Sequence, residues 1–178
     1  MHTIGQGKVN ARTANLLGAL TLEATHLQQQ AGEEVVGIGG AAAAALVTIQ
    51  ARPGWTIEQM RGGLGLTQPG AARLVERLTR EGLVERFGPG GRRGYELRLT
   101  AKGDTVLEQL LLGRRAALTD LLAPLSDPDQ ARLGELLELL LAGRIGDRGD
   151  LERVCRLCER RCCAQCPVSD AYERHQND

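Results

Sequence analysis

All five cysteines of this 178-residue chain lie close together near its C-terminal end, as Cys155-x2-Cys158-x3-Cys162-Cys163-x2-Cys166-Pro167. Thiolates bind metals, attack electrophiles and exchange electrons, so such clustering is a chemical signal. Cys155, Cys158, Cys163 and Cys166 make two C-x-x-C pairs, able to wrap a tetrahedral ion with four thiolates, with Cys162 as an alternative ligand. The compact run ending in Cys-Pro also has the flavour of iron–sulfur ligation, although it does not reproduce the ferredoxin spacing. Two other readings stay open. On a helix, Cys155, Cys158, Cys162 and Cys166 share one face and would be a buried stripe of small apolar side chains. The neighbouring Arg153, Arg156, Arg160 and Arg161 are the electropositive surroundings in which cysteines become redox switches. The metal reading is preferred, zinc ahead of an iron–sulfur cluster. His175 is a further potential ligand, but a lone histidine in a polar tail is ordinarily a solvated one.

A second set of residues is placed for contact with a polyanion. Between Arg73 and Lys102 the chain has a net charge of +4, whereas Gly103 to Glu152 has a net charge of −5, and the whole chain is neutral. Basic charge confined to one module fits a defined duplex site better than the blanket affinity of a uniformly basic protein. The same module has the periodicity of helix, turn, helix and two short strands. The pattern predicts a helix over Thr56 to Leu64, interrupted by Gly62, Gly63 and Gly65, and a second over Gln68 to Glu81. Thr67 suits the N-cap, Pro69 the first turn, and Gly70 and Ala71 keep that turn slim. Ala71, Leu74, Val75 and Leu78 form the buried stripe, which leaves Gln68, Arg73, Glu76, Arg77 and Arg80 on the other side. Leu83 to Phe87 and Tyr95 to Leu99 alternate as strands around Gly88-Pro89-Gly90-Gly91-Arg92-Arg93-Gly94, a glycine-rich loop with a basic tip.

This stretch resembles the MarR family of winged-helix transcription regulators. Arg73-Leu74-Val75-Glu76-Arg77-Leu78-Thr79-Arg80-Glu81-Gly82-Leu83-Val84-Glu85-Arg86 is similar to the family's recognition helix running into its first wing strand. Arg93, followed by Leu99-Thr100-Ala101-Lys102-Gly103, is similar to its wing arginine and Leu-Thr-x-x-Gly. Gly91 is a departure, standing where the family usually has an aspartate that braces the wing arginine. The resemblance implies a dimer built from the first helix and the last two, a ligand crevice beside the DNA-reading unit, and a role more often in repression. Cysteine-rich tails similar to this one occur on some MarR-like regulators.

The remaining segments must position these residues. Residues 1–32 are expected to be an arm and a dimerisation helix over Ala11 to Ala31, ended by Gly32. Residues 33–103 are expected to form the winged helix-turn-helix, with an alanine-rich helix from Gly39 to Ile49 bracing it and Trp55 as an anchor beneath the first strand. Residues 104–142 carry leucines on more than one face, stopped at Pro124 and restarted at Ser126-Asp127-Pro128. Helices apolar on two sides ask for a partner, and a symmetric dimer supplies it. Residues 143–178 are expected to be a linker and the cysteine tail. The fold class is therefore mainly α with a small two-stranded β wing, a winged helix-turn-helix plus a helical dimerisation region.

Only four residues are aromatic, so Leu, Ala and Val must build the core. No apolar run approaches the roughly 20 residues of a membrane span, and Met1 to Lys8 lacks the apolar core of a secretion signal. The expected setting is the cytoplasm, where thiols are reduced by default. The expected function is a homodimeric regulator that binds a palindromic operator in double-stranded DNA. Gln68, Pro69, Gly70 and Arg73 would approach the major groove, Arg77 the phosphates, and Arg92 and Arg93 the backbone or minor groove. The tail would bind a metal or sense redox state, and a small-molecule or redox effector would act on the dimer. One rival is a winged-helix protein-interaction module held by a metal-bound tail. An enzyme using a C-x-x-C ranks lower, because no thioredoxin-like alternation and no Ser/His/Asp or paired-carboxylate arrangement accompanies the cysteines.

Overall fold

A computed structural model describes residues 10–36, 40–88, 94–159 and 166–177. Among them lie α1 (Ala11–Val36), α2 (Gly40–Ala51), α3 (Ile57–Leu64), α4 (Gln68–Arg80), β1 (Val84–Phe87), β2 (Glu96–Leu99), α5 (Ala101–Leu122), α6 (Asp127–Ala142), α7 (Arg148–Cys155) and α8 (Pro167–Asn177). The fold is mostly helical with one two-stranded antiparallel sheet. The tip of the wing with Arg92 and Arg93, and the tail residues Cys162 and Cys163, lie outside the described residues.

Local chemistry fixes the boundaries around α3 and α4. Thr56 starts α3 in a reciprocal cap: its backbone N–H donates to Gln59 Oε1 at 2.9 Å, and its hydroxyl oxygen accepts from the Gln59 N–H at 3.4 Å. Gly65 ends α3 at a φ of 64°, and Leu66 N–H then donates to Arg61 O at 3.0 Å. Thr67 caps α4 by accepting from Gly70 N–H at 3.3 Å. A Cβ on Gly70 would stand 3.0 Å from that same hydroxyl oxygen, so glycine there leaves the cap its room. β1 and β2 pair in the register Val84 with Leu99 and Phe87 with Glu96. The segment before α3 joins their edge, with Leu97 N–H donating to Trp55 O at 2.9 Å.

The main core is aliphatic. Leu46 of α2, Met60 of α3, Val75 and Leu78 of α4, Leu83, Val84 and Leu97 of the wing and Leu107 of α5 are all fully buried. α2 is buried on almost every side from Ala42 to Val47, so its alanines act as thin packing between thicker helices. α1 differs from the expected Ala11 to Ala31, because it continues through Gly32 to Val36. Gly32 is buried and faces the same crevice as Gly40 and Ala41 of α2. Tertiary packing there outweighs the roughly 1 kcal/mol that glycine costs in a helix interior.

The stretch 143–150, whose Gly and Asp content suggests a linker, carries a buried Ile145. It passes directly into α7, where Asp147 accepts from Asp150 N–H at 2.9 Å as the N-cap. Ile145, Leu151, Val168 and Ala171 form a second small core, with Cys155, Cys166 and Tyr172 half-buried against it. The Asp150 carboxyl is held below its ordinary range, first by a hydrogen bond from Arg153 and then by one from Gly146 N–H. Because the folded value is the lower one, this carboxylate supports the turn fully above the unfolded value, and that support is lost as pH falls through the lowered one. Thermal melts of Asp150→Asn are expected to fall below those of the parent at neutral pH and to converge with them in strong acid.

Candidate nucleic-acid interface

α4 is held by one side only. Ala71, Val75 and Leu78 are each completely buried, while Gln68, Pro69, Arg73, Glu76 and Arg80 are exposed. This is the separation expected of a helix that rests on a core and offers its outer face to a ligand. Gly70 is half-buried beside its cap. Arg77 is also half-buried, and its Nε lies 2.8 Å from Glu81 Oε1. The ion pair occupies Arg77, the expected phosphate contact, along the helix, so Arg73, the expected groove contact, is the more available cation of the two.

The far end of α4 is fastened to the start of α5. Thr100 donates its hydroxyl to Gly82 O at 2.6 Å and its N–H to Leu83 O at 3.1 Å, and it accepts from Gly103 N–H at 3.0 Å. Lys102 Nζ donates to Glu81 O at 2.8 Å. Gly103 packs so closely that a Cβ there would stand 2.0 Å from Leu83 O. The Leu-Thr-x-x-Gly stretch is thus a clasp, which sets the wing strands at a fixed angle to α4.

The wing carries a feature that charge pattern alone does not reveal. Arg98 lies over the Phe87 ring, 3.5 Å from its centroid, and within 3.4 Å of Glu96. Phe87 is half exposed, so the stacked pair stiffens the outer side of β1 and β2. The alternation Phe87 and Arg98 across an antiparallel pair was the available signal, once the register was known. Arg61 and Glu58 on α3 form another i, i+3 ion pair, which lowers the Glu58 carboxyl and raises the Arg61 guanidinium. Arg61 also donates to Leu66 O at 3.4 Å, across the turn into α4.

Of the expected thiol ligands, Cys155 and Cys166 sit at the seam between α7 and α8, and Cys158 follows the end of α7. Among the described residues, no three His, Cys, Asp or Glu side chains come together as a metal set. His175 is exposed on α8. Trp55, expected beneath the first strand, instead pairs with β2 through its backbone and lies beside the tail. The Arg52 and Arg148 guanidinium carbons are 5.6 and 5.9 Å from its ring centroid.

A crevice of ≈ 540 Å³ opens between α1, α2, α5 and the tail, with Thr25, Gln28, Ala44, Arg114, Arg156 and Leu157 on its walls. Arg114 Nε donates to Gln28 Oε1 at 2.7 Å. No described helix is long and apolar enough to cross a membrane.

No family model matches the sequence, and no curated protein matches it. Solved structures do. The apo form of wild-type MarR from E. coli aligns with a TM-score of 0.60 and 23% identity, over 72% of this chain and 96% of that one. MepR, a transcription regulator of the Staphylococcus aureus multidrug efflux pump MepA, aligns at 0.65 and 20% identity, over 73% and 96%. The Mycobacterium tuberculosis MarR family protein Rv2887, in complex with salicylic acid, aligns at 0.58 and 22%, over 74% and 98%. About a quarter of this chain therefore has no counterpart in structures that are themselves almost completely covered. Over the aligned three quarters of the chain, the helices and the two-stranded wing have the MarR-type winged-helix fold.

Proposed function

We propose that the chain is a sequence-specific transcription regulator that binds double-stranded DNA as a homodimer, and not an enzyme. The observation that carries this reading is the polarity of α4, fully buried along Ala71, Val75 and Leu78 and exposed along Gln68, Arg73 and Arg80. A helix of this kind, beside two paired strands whose connecting sequence contains Arg92 and Arg93, suits the major groove with the adjoining backbone. The exposed leucines of α1 and α6 supply the face for a second copy. Two copies then address a palindromic operator, and occupancy there represses transcription. The crevice between α1, α2 and α5 is the place for a small-molecule effector, as the salicylic acid complex of Rv2887 suggests by analogy. The cytoplasm is the setting that such a regulator requires.

Selection of bound duplexes from a random pool tests the reading. Enrichment of a two-fold symmetric sequence supports it, while binding with no preference points to an interaction module. On the enriched duplex, Arg73→Ala is expected to cost about 1–3 kcal/mol while hardly changing affinity for random duplex. Equal losses on both would remove Arg73 from base readout. The chemistry of the tail is decided by elemental analysis and absorption of anaerobically purified protein. Zinc without colour, an iron chromophore, or neither metal separates the zinc, iron–sulfur and thiol-switch readings.

A further inference from the structure

The tail reaches two parts of the subunit that otherwise share little. α7 packs on α3, the helix that braces α4, while α8 packs on α6 and on α7. α6 has no buried residue of its own, so α8 is a main hold that this subunit has on it. Side chains mark both attachments. On the α3 side, Arg148 reaches the Trp55 ring and pairs with Glu152 at 2.9 Å. The Glu152 carboxylate sits over α3 at Gly63, 3.1 Å from where a Cβ would be, and the Trp55 ring is 3.3 Å from the same point. Gly63 is thus the floor on which α7 rests. Beyond α7, Leu157 packs on the main core and Glu159 lies 3.4 Å from Arg115 of α5. On the α6 side, Ile145, Val168 and Ala171 are buried at the seam with α7, together with Leu151.

We propose that α7 and α8, with the described residues that flank them, 145–159 and 166–177, are a strap that ties the DNA-reading unit to the α6 stalk within one subunit. Its seam between α7 and α8, where Cys155 and Cys166 lie, is the point at which it opens. The strap explains how a change in the cysteine segment reaches α4. The route is short, from the seam through α7 to α3 and across the Arg61-stabilised turn to α4, and it needs no change in the dimer interface. A tie between two packed bodies acts on their angle only while both ends hold, so a cut at either end releases the other.

Trp55, the sole tryptophan, reports the α3 end directly. Val168→Asp places a charge in the seam and leaves Trp55 and α3 unaltered, since Val168 belongs to the second core, whereas Trp55 packs against the first. In the full-length variant, the strap requires a red-shifted Trp55 emission and backbone hydrogen exchange across Ile57–Leu64 at least tenfold faster than in the parent. Exchange in the core of α2 should stay at the parent's rate. If α8 exchanges freely while Trp55 emission and α3 exchange match the parent, the two ends are independent and the strap is wrong. Should Val168→Asp fail to fold, Tyr172→Ala makes a milder cut in the same seam and is read in the same way. Neither readout involves DNA, so the strap and the operator-binding reading can fail separately.

Discussion

Gly103→Ala is expected to destabilise the protein and loosen the wing, although the same exchange stabilises most helix interiors. Gly103 lies in the first turn of α5, where alanine would ordinarily gain up to about 1 kcal/mol of helix propensity. Here the added methyl would fall 2.0 Å from Leu83 O and 3.0 Å from Leu83 C. Neither atom is the end of a flexible side chain. Relief therefore requires α5 to move away from the residues leading into β1. That motion stretches the hydrogen bonds from Thr100 to Gly82 O and Leu83 O, and from Lys102 to Glu81 O. Overpacking of this kind typically costs about 1–3 kcal/mol, occasionally more, and the lost clasp bonds add roughly 1 kcal/mol each. Less the propensity gain, a net loss of about 3–5 kcal/mol corresponds to a fall in melting temperature on the order of 6–20 °C for a chain of this size. Gly62→Ala is the control. Nothing lies within 4 Å of a Cβ there, so the same exchange in α3 should be neutral or mildly stabilising. Calorimetry of the two variants that showed equal melting temperatures would remove the clasp from the account of how the wing is held.

That contrast marks where the sequence can be read and where it cannot. The clasp was visible as Leu-Thr-x-x-Gly, but its reason, a backbone approach between residues twenty apart in the chain, is a tertiary fact. The helix-turn-helix was legible because its signals are local: the glycines Gly62, Gly63 and Gly65, Thr67 before Pro69, and the Ala71, Val75, Leu78 spacing. Each involves neighbours within one or two turns. α1 runs on past Gly32 because burial there overrides the glycine's low helix propensity, and burial is not a local signal. The tail was harder. Ile145, Leu151, Val168 and Ala171 are isolated apolar residues among charges, too sparse for a periodic signal in helices as short as α7. Cys155 and Cys166 stand half-buried against that small core, a packing that the cysteine spacing by itself does not announce. Of the candidate groove residues, Arg73 and Gln68 stand exposed as expected. The pairing of Arg77 with Glu81 could be foreseen as an i, i+4 pair, yet it was outweighed by the charge count.

If the chain is the operator-binding homodimer proposed above, Leu139→Asp combined with Leu140→Asp is expected to convert the dimer into a monomer and, through that, to abolish tight operator binding. Among the described residues, ten large apolar side chains stand exposed on α1, α5 and α6 of the single subunit, among them Leu22 at 74%, Leu139 at 72% and Leu140 at 55%. Isolated exposed leucines are ordinary, but α6 buries none of its own and offers five leucines between Leu136 and Leu141. A two-fold partner doubles every contact, so two substitutions remove four leucines from the interface. Burial of a leucine contributes about 1.5–3 kcal/mol, which makes the combined loss at least about 6 kcal/mol before the cost of desolvating four carboxylates. That is roughly a 10⁴-fold weakening, so a micromolar dimer would be dissociated at any practical concentration and a nanomolar one at low micromolar protein. Light scattering on the eluted peak should give half the parent's mass, with the circular dichroism of the winged unit retained, because the main core is built from α2 to α5 and not from α6. Each released subunit keeps α4 intact but reads only half of a palindrome. Losing the intramolecular second contact weakens binding by roughly 10²–10⁴-fold, while affinity for a single half-site stays near its parent value. A variant that still elutes as a dimer would place the subunit interface elsewhere, and the exposed leucines would then need another partner.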